Sequence, residues 1–103
     1  MAEGFNRLVS RLEELLPAGV EARVEVHGPD ALLVEGWFAR VRLARPTPLG
    51  DPALVLDDST RVELPRGQWV SSEDHGPDET GAVRLRAEFR GVMLDLGVRP
   101  LEV

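Results

Sequence analysis

Residues 73–79 read Glu-Asp-His-Gly-Pro-Asp-Glu, the densest group of potential metal ligands or acid–base groups in the chain. Carboxylates beside an imidazole can hold a divalent cation. Hydrolysis would further require an open coordination position on that cation. Glu73, Asp74, His75, Asp78 and Glu79 are the candidates, centred on His75 with Asp74 and Asp78. Their spacing lacks the alternate acids before a central glycine that a calcium loop uses. Only two histidines exist, His27 and His75, so a histidine-rich zinc site is out of reach. A solvated acidic loop is the plainer assignment.

A second group is Asp57-Asp58-Ser59-Thr60, a hydroxyl beside carboxylates. Nucleophilic catalysis needs a base in hydrogen-bond reach and a third, orienting group. The sequence places neither histidine nearby, and Asp and Ser at a hairpin tip bond their own backbone instead. A third group is cationic. Arg84, Arg86 and Arg90 share a face that Arg40 and Arg42 could extend, with Phe38 for stacking. Such a face could hold an anion or single-stranded nucleic acid. Glu88 and Asp95 lie among these arginines, which favours cross-strand ion pairs.

Two tryptophans complete the candidates. Trp37 fits a core-facing position. Trp69 lies in a polar stretch, where its ring must tuck under the chain or meet a partner, as interface tryptophans do. The candidate binding residues are therefore Trp69, Asp74, His75, Asp78, Arg84 and Arg86. No catalytic residue, metal ligand set or cofactor is assigned. The glycines are scattered singly, and none forms a phosphate-binding loop.

These residues have to be positioned by simple elements. Phe5, Leu8, Val9, Leu12, Leu15 and Leu16 recur at steps of three and four, which predicts an amphipathic helix over about 3–16. Pro17 and Gly19 stop it. From Val20 the period is two: Val20, Ala22, Val24 and Val26 alternate with Glu21, Arg23, Glu25 and His27. Strands are expected over about 20–27, 31–44, 53–56, 61–64, 83–90 and 92–98. Gly28-Pro29-Asp30 makes the first turn. Pro46 and Pro48 end the second strand. Within it the apolar parity flips from Leu32 and Val34 to Trp37, Ala39, Val41 and Leu43, so a bulge or turn is placed at Gly36.

Two cross-strand arguments follow. If Arg90-Gly91 is a tight turn, Phe89 faces Val92, Ala87 faces Leu94 and Arg86 faces Asp95. Arg-Gly is not a favoured hairpin dipeptide, so one long strand bulged at Gly91 is the alternative. The stretch 65–82 has no clear period and is read as a long loop, a length often tied to function. His-Gly-Pro-Asp occurs at 27–30 and again at 75–78. Each copy precedes an extended segment ending in Arg-Pro, a pattern that either an old duplication or chance produces.

Composition sets the class. The 103 residues contain no cysteine, which excludes disulfides and thiolate chemistry. All 12 cations are arginine, as biased codon usage in a GC-rich genome would give, so arginine abundance is no evidence of phosphate recognition. Residues 1–50 carry six arginines against seven acids, or −1; residues 51–103 carry six against eleven, or −5. That acidic balance argues against non-specific nucleic-acid binding and favours solubility or a basic partner. The early apolar residues alternate with polar ones, unlike a secretory signal. No apolar run approaches the ~20 residues of a membrane span. A cytoplasmic setting is expected.

The chain is thus read as a single α+β domain over 1–103. An N-terminal amphipathic helix packs on a mainly antiparallel, hairpin-built sheet that can curl into a small barrel. The helix and first hairpin resemble the layout of small acidic secretion chaperones; the later helix of that family has no counterpart here, and no property is carried over. Function is expected to be a non-catalytic binding or assembly module, with a protein partner or a homodimer. The alternatives are a metal-dependent protein or enzyme around His75, and an anion or nucleic-acid binder on the arginine face.

Overall fold

The computed structural model describes residues 2–16, 20–44, 51–57 and 60–98. Helix α1 (Ala2–Leu15) leads into strands β1 (Val20–His27), β2 (Leu32–Ala44), β3 (Ala53–Leu56) and β4 (Thr60–Glu63). A single 3₁₀ turn (Arg66–Gln68) precedes β5 (Trp69–Asp74), β6 (Val83–Phe89) and β7 (Val92–Val98). The architecture is α+β, one helix on a seven-stranded sheet curled into a half-barrel. Pro17, Gly19, Pro46, Pro48, Asp58, Ser59 and the Arg99-Pro100 pair lie outside the described residues.

The strand order is β4-β3-β2-β1-β7-β6-β5, and every neighbouring pair is antiparallel. Two meanders, β1–β4 and β5–β7, meet where β1 pairs with β7. Because directions alternate along seven strands, the two edges β4 and β5 run the same way. Parallel neighbours need a crossover of about a dozen residues. Residues 64–68 supply far fewer, so β4 and β5 cannot pair and the barrel keeps a seam. The same link forces the curl. Six Cα steps from Glu63 to Trp69 reach at most roughly 22 Å. Six strand spacings in a flat sheet separate its edges by roughly 29 Å.

Helix α1 lies along β5 and the 64–68 link. Its stripe of Phe5, Leu8, Val9 and Leu12, continued by Leu16 just beyond the helix, is buried with Val24, Val41, Leu54, Leu56, Leu64 and Leu96. Phe5 meets Phe89 edge-on, with centroids 6.4 Å apart at 83°. The Arg66 guanidinium covers the Phe5 ring at 4.7 Å and donates to Asn6 Oδ1 at 2.8 Å. Further along, Arg11 pairs with Asp74 at 2.7 Å. The buried stripe gives the helix its stability, and these polar contacts fix its register on β5.

Sequence and structure part at two places. The parity flip in β2 is a bulge at Ala39 and Arg40, not at Gly36: Phe38 pairs with Ala22 but Val41 pairs with Val20. Gly36 sits in register opposite Val24 despite its φ of 145°. The bulged Arg40 N–H donates to Asp57 Oδ1 at 2.8 Å, and the Asp57 N–H donates to the Arg40 carbonyl at 2.8 Å. Asp57 itself holds φ at 51°, a conformation Asp tolerates. Consequently Trp37 is not a core residue. It stands 47 % exposed on the face turned away from the helix, while Phe38 packs on the core.

The second departure is β5, which runs inside the stretch read as a long loop. Residues 90–91 follow the hairpin that the sequence indicates. They form the tight turn and not a bulge: Phe89 pairs with Val92, Ala87 with Leu94 and Arg86 with Asp95. Gly91 supplies the φ of 74° that this turn requires.

Trp69 tucks under the helix. A Cβ added at Gly4 would lie 2.7 Å from Trp69 Cζ2. Gly4 therefore leaves room for the Trp69 ring against the helix. Gly4→Ala is expected to destabilise the fold by about 1–3 kcal/mol through overpacking, against its gain in helix propensity. Urea unfolding of G4A and of G4A combined with Trp69→Phe measures this. The smaller ring is expected to relieve the G4A defect, so the two changes should be non-additive.

Candidate functional site

Strand alternation puts the odd-numbered residues of β1 on the face away from the helix, and the registers extend that face across five strands. Reading from β2 to β5, one row is Glu35, Glu25, Asp95, Arg86 and Glu73. The next is Trp37, Arg23, Gly97 and Arg84, ending beside His75, whose N–H donates to the Arg84 carbonyl at 2.7 Å.

The first row places three carboxylates on adjacent strands, which is unfavourable unless cations intervene. Arginines supply them. Arg23 pairs with Glu25 at 2.7 Å and with Glu35 at 3.6 Å. Arg86 donates to Asp95 at 3.2 Å, and Arg84 approaches the same oxygen at 3.7 Å. The hydrogen bond from Arg23 holds Glu25 below the usual carboxylate range, and the same bond raises Arg23. Arg84 and Arg86 thus flank an acid, as the alternation predicts. Asp95 is the buried polar residue among the described core.

In the second row Gly97 leaves a gap. A Cβ there would touch only the Arg23 Cβ, at 3.8 Å. Over this gap lies a depression of about 710 Å³, walled by Trp37, Arg23, Arg84 and Arg86 and rimmed by His75 and Asp78. That volume falls within the range of small-molecule sites.

The sequence-predicted residues separate here. His75, Asp78, Arg84 and Arg86 line the depression. Asp74 does not; it is committed to Arg11 on the helix. Trp69 does not either, being half-buried against α1 with a buried Nε1 that has no hydrogen-bond partner among the described residues. The three residues of the proposed metal group are each engaged elsewhere. His75 Nε2 lies 2.9 Å from Glu73 Oε2. Asp78 Oδ1 accepts from Thr80 Oγ1, Thr80 N–H and Ala82 N–H at 2.7, 2.8 and 3.1 Å. Those bonds, the Thr80 hydroxyl first, hold Asp78 below its ordinary range. Asp78 therefore organises its own turn.

Among the described residues, Glu25, His27 and Asp95 offer ligand atoms within 4.8 Å of one another. Two of these three are already bonded to arginine, so the charge a cation would need is spent. Among the described residues, the His75–Glu73 contact and the Thr80–Asp78 contact share no residue. Arg23 and Gly97 escaped the sequence reading, and Trp37 was expected in the core. Only the β1 alternation pointed at Arg23, and nothing local pointed at Gly97. No helix among the described residues is long and apolar enough to cross a membrane. No family profile, curated protein or solved structure matches this chain.

Two depressed carboxyl groups set an acid response. Glu25 and Asp78 have folded-state values below their ordinary 4.5 and 3.8, so the unfolded chain binds protons first as pH falls. Their stabilisation is complete above the ordinary values and is lost as pH drops through the folded ones. Chemical denaturation between neutral pH and pH ~3 should show stability falling below about pH 4.5. Glu25→Gln and Asp78→Asn should each flatten that limb. An unchanged slope in both variants would contradict the assignment.

Proposed function

We propose that this chain is a non-catalytic assembly module that acts through strand-to-strand contact, first with a second copy of itself. The supporting observation is the seam. Residues 64–68 cannot close it, so β4 and β5 each have one side without a strand neighbour among the described residues. Unpaired backbone at a sheet edge is a template for strand addition.

The two edges differ in what they accept. β4 reads Thr-Arg-Val-Glu, with Val62 between Arg61 and Glu63. A two-fold contact is self-complementary by necessity. Antiparallel pairing centred on Val62 sets each Arg61 against the other copy's Glu63. Within one chain the same two side chains already pair at 2.9 Å and stay substantially exposed. β5 ends in Glu73 and Asp74, so two β5 edges bring no cation to these acids. Its exposed Val70 and acidic end suit a different, basic partner strand. The proposed setting is the cytoplasm, where a chain without cysteine folds with no oxidising environment.

Sedimentation equilibrium at tens of micromolar tests the pairing. The wild type is expected to dimerise in the micromolar range, as a short interface allows. Arg61→Glu and Glu63→Arg should each give monomer. The double exchange R61E/E63R should restore the dimer, because the charges again oppose. A wild-type monomer, or a dimer indifferent to all three variants, would refute the β4 contact.

A further inference from the structure

The depression over Gly97 carries an inference independent of the β4 contact. We infer that it is a binding site for a small carboxylate with an aromatic or otherwise flat apolar body. The argument begins with Arg84. Its side chain is 61 % exposed, and it reaches Asp95 only at 3.7 Å, beyond hydrogen-bond distance. Asp95 Oδ1 is meanwhile 3.2 Å from Arg86 Nε. Arg84 therefore stands beside the gap with its planar donor fork unmatched by a carboxylate in hydrogen-bonding geometry. That fork fits a carboxylate bidentately.

The rest of the row defines the body of the ligand. Gly97, next to Arg84, removes the side chain that would block the approach. Arg23 comes next, its guanidinium turned to Glu25 and Glu35 and its stem forming floor. Trp37 closes the far end, 47 % exposed. An indole presents a flat apolar face for stacking. From β6 to β2 the row crosses three strand spacings, roughly 14 Å. A ring held two or three carbons from a carboxylate at Arg84 extends along this row toward Trp37.

The surrounding charge limits the class. Glu25, Glu73, Asp78 and Asp95 line the same depression as Arg23, Arg84 and Arg86. A polyanion such as nucleic acid meets repulsion here, whereas one carboxylate placed at Arg84 meets a cation. A ligand with a second negative charge at the Trp37 end would face Glu35, so a single charge is specified.

The two tryptophans give the test its readout. Their indole N–H resonances are distinct probes, Trp37 at the site and Trp69 under the helix. The ¹⁵N-labelled full chain is titrated with 3-phenylpropionate, and in parallel with the uncharged 3-phenylpropionamide and with inorganic phosphate. Phenylpropionate is expected to shift the Trp37 indole and Gly97 amide saturably, with half-saturation at or below about 1 mM, and to leave Trp69 in place. The amide and phosphate should bind at least about tenfold more weakly, since one lacks the charge and the other the ring. Arg84→Gln should weaken phenylpropionate by a similar factor, while Arg90→Gln, an arginine outside the depression, should not. Gly97→Val should abolish the shifts by filling the gap. If Gly97→Val perturbs the spectrum by itself, Arg84→Gln decides. Equal binding of acid and amide, shifts centred elsewhere, or no saturation by about 10 mM would each overturn the inference.

Discussion

The antiparallel pairing of β7 with β1 is the constraint on which the rest of the molecule depends. It joins the first and last strands of the sheet at its centre. It also fixes the direction of every other strand by alternation. Seven strands then leave β4 and β5 pointing the same way, and the five-residue link between them is too short for a crossover. The curl, the seam and the position of the helix all follow. A curled sheet with an open seam exposes its concave side, and the apolar stripe of α1 is what covers it. Phe5 is the centre of that contact, with Phe89 on one side and Arg66 on the other.

The same pairing divides the sheet into two chemistries. Even-numbered residues of β1 and β7 turn toward the helix; the odd-numbered residues of β1, with Asp95 of β7, carry the charge. Bringing β1 against β7 sets Glu25 beside Asp95, with Glu35 on the other flank. Arg23 and Arg86 are the necessary response to that crowding. Arginine suits this task because one fork can serve two acids, as Arg23 does. A charged ladder results along the row from Glu35 to Glu73, and beside it the missing side chain of Gly97 leaves a hollow.

Much of this was legible before any coordinates. Helical spacing identified Phe5, Leu8, Val9 and Leu12, because a buried stripe on a helix has only one period. The pairing across Arg90-Gly91 followed from matching partners, since only a hairpin opposes Arg86 to Asp95 and Phe89 to Val92. Strand β5 was hidden for a physical reason. Trp69 and Val70 are adjacent, Val70 sits at a bulge between Trp69 and Ser71, and Ser71 to Asp74 are polar on both faces, so no alternation survives. The β2 bulge was misplaced because Gly36 looks like the break, whereas the break is at Ala39 and Arg40 and is held by Asp57, just past the end of β3.

The site was less legible than the fold. His75, Asp74 and Asp78 are neighbours in sequence, but the end of β5 sends Asp74 toward the helix and His75 toward the opposite face. Trp37 and Arg23 are remote in sequence and meet across β1 and β2, and Gly97 joins them through the β1–β7 register. That register can be tested directly, because a chain without cysteine gives an unambiguous background for engineered disulfides. Cysteines at Glu25 and Asp95, directly paired across β1 and β7, should have Cα atoms within the roughly 4.4–6.8 Å a disulfide needs. Glu25→Cys/Asp95→Cys is expected to cross-link within the monomer on mild oxidation and raise thermal stability. Val62→Cys/Ser72→Cys, spanning the seam, should remain reduced. Ready closure of the seam pair with no closure of the β1–β7 pair would contradict the topology and everything built on it.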